Sequence, residues 1–187
     1  MPEPIEVTNI KQNYNNREYV LNAVQNQGSL LDYASNELKD DRQIVLAAIE
    51  NNPEALEFAS DRLKEDKEVV YNSVSKVGWT YCYAKEELLK DKDLLLAGLK
   101  VDGQILYYAN QEMRSDKDVV LEAVKNKGII VKYASEELKN DKDIAIAALN
   151  QNKKCFEFLG TDIKNDEEIK KIIEWKIESN QPREFWY

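Results

Sequence analysis

Asp41, Asp66, Asp91, Asp116, Asp141 and Asp166 stand 25 residues apart, and Asn16 holds the slot before them. A chain that repeats at so short a period has few folds open to it. One copy is too small to enclose a core, so it must share one with the copies on either side. Counted from this residue as position one, six full units run from Asn16 to Asn165, and a seventh begins at Asp166 and breaks the pattern within a turn. Position eighteen is Tyr33, Phe58, Tyr83, Tyr108, Tyr133 and Phe158. Position nineteen is Ala34, Ala59, Ala84, Ala109 and Ala134, then Leu159, and position twenty-three is Leu38, Leu63, Leu88, Met113, Leu138 and Ile163.

The pattern inside a unit is helical. Asp or Asn at position one can accept hydrogen bonds from the free amides of a helix start. Acids follow at position three in most units (Glu18, Glu68, Asp93, Asp118, Asp143), where the positive end of the helix dipole favours them. Apolar residues then fill four, five, six, eight and nine, as in Val119, Val120, Leu121, Ala123 and Val124. A band that wide predicts a helix touching neighbours on more than one side. Glycine at position thirteen (Gly28, Gly78, Gly103, Gly128) predicts a left-handed helix end, which Pro53 cannot adopt. A second, shorter helix is expected over positions fourteen to nineteen, because Ile130, Tyr133 and Ala134 follow helical spacing and not the alternation of a strand. Ser35, Ser60 and Ser135 would cap a last short turn carrying the leucine.

The expected fold is all-α: one helical-repeat solenoid over residues 1–187, wound as a right-handed superhelix. Residues 1–15 read as an irregular N-terminal cap in which Ile5, Val7, Ile10 and Tyr14 are free to cover the first unit. Residues 16–165 are the six repeats, and 166–187 a capping helix and tail. In that helix Ile169, Ile172, Ile173 and Ile177 make a stripe, and Lys170 and Lys171 replace apolar residues, as suits a terminal repeat facing water. The closing Phe185, Trp186 and Tyr187 are expected to fold back onto it, with a linear docking motif as the alternative.

Composition narrows the function. The formal net charge is −9, which argues against general affinity for nucleic acid or an anionic membrane. No secretory signal opens the chain and no apolar run is long enough to span a bilayer. Cys82 and Cys155 have no motif around them and read as reduced structural thiols, Cys82 facing outward and Cys155 semi-buried, in a cytoplasmic protein. The sequence contains no histidine. That removes the usual Ser-His-Asp and Cys-His sets and all histidine metal sites. The Asp-Lys-Asp triplets, such as Asp91-Lys92-Asp93, lack the glycine and closing glutamate of a calcium loop. The chain is therefore expected to be non-enzymatic, with no catalytic residues, metal or cofactor. The basic row at position two (Arg17, Arg42, Lys67, Lys92, Lys117, Lys142) lies between acids at one and three and reads as a self-compensating edge.

Stretches such as VVLEAVKNKGIIVKYASEELKNDKD resemble the family known as domain of unknown function 4116, whose members carry tandem copies of a similar phrase. The resemblance covers Asn16 to Asp166 and implies an all-helical repeat, with no activity to carry over. Pro53, Lys153 and Gly160 depart from the phrase.

Differences between copies point to a surface. Positions fourteen and seventeen are three apart and share a helix face. They are polar in Ser29 and Asp32, Glu54 and Glu57, and Lys154 and Glu157, but become Trp79 with Cys82, Gln104 with Tyr107, and Ile129 with Lys132. Val77 and Val101 are also apolar where other copies are mostly polar. An apolar patch rimmed by charge marks a contact surface. The leading expectation is a protein-binding scaffold using Trp79, Cys82, Tyr107, Ile129, Val77 and Val101, monomeric or weakly homodimeric. The alternative is an inhibitor or immunity-type protein that blocks a basic or nucleic-acid-handling enzyme through Glu50, Glu54, Glu57 and Asp61, since the first two units carry net charges of −2 and −3.

Overall fold

Each long helix begins where the repeat predicts. In the computed structural model, which describes residues 5–178, Asp41 Oδ1 accepts the Gln43 and Ile44 amides at 2.9 and 3.2 Å. Asp66, Asp116, Asp141 and Asp166 do the same for their own helices. Asn16 and Asp91 each cap the third amide on. Such a cap is worth about 1 kcal/mol. The helices that follow are Arg17–Asn26, Arg42–Asn51, Lys67–Val74, Lys92–Val101, Lys117–Asn126 and Lys142–Gln151.

The next segment is tighter than expected. It is a 3-10 helix in every copy: Gly28–Tyr33, Pro53–Phe58, Gly78–Tyr83, Gly103–Tyr108, Gly128–Tyr133 and Lys153–Phe158. The residue before each is extended, with φ from −153° at Asn152 to −135° at Val77. The expected left-handed glycine is therefore absent, and among the described residues no φ is positive. Close approach explains Gly28, Gly78 and Gly128 instead. A Cβ on Gly28 would stand 2.3 Å from the Ala48 carbonyl oxygen, and one on Gly128 2.4 Å from that of Ala148. At Pro53 the next copy carries Ser73, whose hydroxyl reaches the Pro53 carbonyl at 2.8 Å.

A one-turn helix closes most copies, as in Asn36–Lys39, Asp61–Lys64 and Glu136–Lys139, with the Leu38, Leu63 and Leu138 amides donating to Ser35, Ser60 and Ser135. Gly160 cannot cap. Asn140 of the preceding copy supplies the oxygen, accepting the Asp162 and Ile163 amides at 3.1 and 3.3 Å.

The chain divides into two compact units, one ending at Ala109 and one beginning at Asn110. Within the first, neighbouring long helices pack side by side as one layer and the 3-10 helices as a second. The second repeats this with Lys117–Asn126, Lys142–Gln151 and their 3-10 helices. Each unit is thus an all-α repeat solenoid, and among the described residues there is no strand. Positions four, five, eight and nine of the long helix form the core with fifteen, sixteen, nineteen and twenty-three, as Ile44, Val45, Ala48, Ile49, Ala55, Leu56, Ala59 and Leu63 do. Burial of these side chains, about 1.5 to 3 kcal/mol for each large one, is what holds copies together. The backbone adds one bond at four of the steps, from the amide at position twenty to the carbonyl at twenty-four of the copy before: Ser60 to Lys39, Lys85 to Lys64, Ser135 to Arg114 and Gly160 to Lys139.

Most of the described part of the N-terminal segment is helical rather than irregular. Ile5–Gln12 is a helix, Ile10 is fully buried, and the Tyr14 carbonyl accepts the Ser35 amide at 2.8 Å as a preceding copy would. The Tyr14 side chain stays exposed and Val7 is half-buried. The last helix, Glu167–Glu178, buries Ile169 and leaves Ile172 and Ile173 half-buried, with Lys171 exposed. The side chain of Ile177 and the aromatic tail lie outside the described residues. Among those described, no helix is long and apolar enough to cross a membrane.

Candidate functional site

Within each compact unit, the basic row at position two makes a ladder from one copy to the next. Arg17 meets Asp41 at 2.7 Å, Lys67 meets Asp91 at 2.6 Å, and Lys117 meets Asp141 and Asp143 at 2.8 and 2.7 Å. Arg42 bridges to Asp66 and Glu68, and Lys142 to Asp166 and Glu168. Each of these five cations thus meets the helix cap of the following copy and is spent on the fold. The cap carboxyls of Asp41, Asp66, Asp91, Asp141 and Asp166 sit below their usual range. At Asp66 burial pushes the pKa up, but the Val69 amide and Arg42 outweigh it; at Asp166 the Lys142 bond leads the lowering. A carboxyl whose pKa is depressed by folding stabilises the fold above its unfolded value of about 4 and loses that contribution as pH falls through the folded value. The melting temperature should therefore hold from neutral pH down to about 5 and fall steeply below about 4. An unchanged melt at pH 3 would show that the ladder contributes nothing.

The 3-10 layer is the surface that breaks the repeat. A 3-10 helix has three residues per turn, so positions fourteen and seventeen eclipse one another on its outer face. In the first unit this aligns Trp79 with Cys82 on Gly78–Tyr83, beside Tyr107 on Gly103–Tyr108. Trp79 is half-buried and packs edge-on against Tyr83 with centroids 5.4 Å apart, and Tyr107 packs likewise on Tyr108 at 5.1 Å. Tyr107 and Tyr108 are 52% and 51% exposed, the most open aromatic pair among the described residues. Burial pushes the half-buried Cys82 thiol up, which keeps it protonated and a poor nucleophile. Cys155 is fully buried rather than semi-buried.

The remaining candidates are dispersed. Val101 is exposed, but it lines a shallow groove on the long-helix layer with Tyr71, Leu96 and Ala97. Val77 is half-buried at the start of its 3-10 helix. Ile129 belongs to the second unit, half-buried on Gly128–Tyr133. Of the acidic set, Glu50 pairs with Lys76 and Asp61 with Lys85. Glu54 and Glu57 are exposed on Pro53–Phe58, in the same layer as Trp79, and Glu57 accepts the Tyr83 hydroxyl at 3.1 Å. Burial and that carboxylate push Tyr83 up to about 12. The two surfaces read separately from sequence thus meet at Tyr83.

One feature escaped the 25-residue reading. Position twelve alternates between Gln27, Val77, Lys127 and Asn52, Asp102, Asn152. The second set accepts the amides of Glu54, Gln104 and Lys154 and caps its 3-10 helix; the first makes no such bond. The Gly28 and Gly128 amides instead donate to Asn51 and Gln151 of the next copy, both at 2.7 Å. Position seven alternates too, with Asn22, Asn72 and Glu122 against Ala47, Ala97 and Ala147. The structural period is therefore a pair of unlike copies, visible in the sequence at a spacing of 50 residues.

Fold and surface together define an all-α tandem-repeat protein. The chain belongs to the family described as domain of unknown function (DUF4116), whose model matches residues 16–64, 66–114 and 116–164. Each match spans one such pair of copies. Comparison with curated proteins and with solved structures gave no match.

Proposed function

We propose that this chain is a non-enzymatic protein-binding scaffold, and that it grips its partner through the 3-10 layer of the first unit. One observation carries the reading. The outer face of that layer is polar at Ser29, Asp32, Glu54 and Glu57 and turns aromatic at Trp79 and Tyr107, with Tyr107 half in solvent. Exposed Trp and Tyr are the residues that most often anchor interfaces. The W79A/Y107A double variant should lose the partner captured by the wild-type chain from native lysate, with its circular dichroism unchanged. Undiminished capture would reject the site.

The inhibitor-type reading draws on the same layer, since Glu54 and Glu57 flank the aromatic residues. Binding that collapses in high salt, and on changing Glu54, Glu57 and Asp61 to neutral amides, would favour it; salt-independent binding would count against it. We place the chain as a cytoplasmic monomer or weak dimer, which light scattering across a concentration series would check.

A further inference from the structure

The rings at position eighteen are not treated alike. Lys11 places its ammonium 5.2 Å from the Tyr33 centroid. Arg114 and Lys132 lie over Tyr133 at 6.0 and 4.8 Å, and Lys132 also reaches Phe158 at 5.9 Å. Between them in sequence come Phe58, Tyr83 and Tyr108, on three adjacent 3-10 helices of the first unit. Among the described residues no ammonium or guanidinium lies over these three rings.

The sequence explains the difference. The cations over Tyr133 come from position seventeen of its own copy and position twenty-four of the copy before. For Tyr108 those places hold Tyr107 and Leu89, neither of them cationic. For Tyr83 they hold Cys82 and Lys64, and the Lys64 ammonium donates to the Glu57 carbonyl at 2.7 Å. For Phe58 they hold Glu57 and Lys39, the latter 3.8 Å from Asp32. Tyr108 is 51% exposed, whereas the other five rings of the row are half-buried.

Charge points the same way. Residues 1–109 hold 12 basic against 19 acidic side chains, a net −7 of the chain's −9. Glu54 and Glu57 stand exposed beside the open rings, and Glu57 accepts the Tyr83 hydroxyl.

We propose that the Phe58–Tyr83–Tyr108 row is a docking track for an extended basic segment of a partner protein. Its Lys or Arg side chains take the places over the rings that the chain's own cations take at Tyr33, Tyr133 and Phe158. This rests on the reading of the 3-10 layer as the partner-binding face and adds the partner's chemistry. An aromatic face attracts a cation through its quadrupole, and the attraction grows when the site is partly desolvated. The carboxylates raise the local concentration of a basic segment and hold it against the row. Neighbouring helices lie roughly 8–10 Å apart, and every third residue of a polyproline-type strand recurs at about 9 Å. Basic residues three apart therefore match consecutive rings.

Calorimetric titration of the full chain tests this, with an extended peptide carrying arginine at every third position and a control in which citrulline replaces each arginine. The arginine peptide should bind, more weakly as salt rises, and the citrulline peptide should not. Tyr108→Ala should weaken binding about five- to thirtyfold. Tyr108→Phe, which keeps the π-face, should restore most of it, and Tyr133→Ala, whose ring is already covered, should change nothing. Tyr108 is half exposed, so its loss should leave the melt intact. No binding of the arginine peptide, equal binding of the citrulline peptide, or an unaffected Tyr108→Ala would each overturn the proposal. If the W79A/Y107A variant still loses its lysate partner in that event, the 3-10 layer remains a partner face and only the basic chemistry falls. If both fail, the layer is not an interface.

Discussion

Tyr81→Ala should lower the stability of the fold by about 3–5 kcal/mol, the largest single-residue loss expected in this chain. Tyr81 is fully buried, and its hydroxyl donates to the Leu89 carbonyl at 2.6 Å. Burial pushes its phenol up to about 12, so it stays neutral and a donor at any ordinary pH. The same position is Leu31, Leu56 and Leu106 in other copies, and that carbonyl position elsewhere accepts a backbone amide from the next copy. Here a side chain fills a larger space and supplies a hydrogen bond as well. Tyr81→Phe removes only the bond, at about 0.5–1.5 kcal/mol, and Tyr81→Leu should fall between the two. Urea denaturation followed by circular dichroism measures all three. If Leu were neutral, the copies would be interchangeable at this site and the specialised packing of the third copy would be an illusion.

Gly128→Ala should destabilise by about 1–3 kcal/mol, as inserting a group into a filled space does. The sign is diagnostic. At a position with ordinary negative φ, replacing glycine by alanine commonly stabilises by about 0.4–1 kcal/mol, because it restricts the unfolded chain. Gly128 has no positive φ to explain it. Its Cβ would stand 2.4 Å from the Ala148 carbonyl oxygen and 3.0 Å from Gln151 Oε1, which accepts the Gly128 amide. Alanine here would push one copy off the next. A stabilised variant, by the same denaturation measurement, would show that the copies can part at this point without cost.

The contrast between these residues shows what a repeat reveals. Asp at position one has a local job, to bond amides two and three residues on, and its recurrence predicted each helix start. Glycine at position thirteen has a remote job, set by a carbonyl 20 residues on, and its recurrence alone suggested a local turn that is not there. Tyr81 likewise looks like a conservative exchange for leucine until Leu89 is found beside its hydroxyl. The candidate surface was legible only in part. Trp79, Cys82 and Tyr107 share a face because three-residue spacing eclipses on a 3-10 helix. Val101 reads as their neighbour in a list of exceptions, yet it lies on the long-helix layer. The missed pairing of unlike copies was present in the sequence all along, at Asn52, Asp102 and Asn152, but a search for similarity at 25 residues averages over it.

The amino-acid sequence by itself determined the repeat, the starts of the long helices, the core positions and the family, because each depends on residues within a turn or two of one another and on an apolar pattern copied along the chain. Tertiary structure alone decided why the glycines are there and which cations are spent on the cap ladder. Those depend on the neighbouring copy some 20 to 26 residues away, whose backbone and charges settle how much room, and how much water, each side chain keeps.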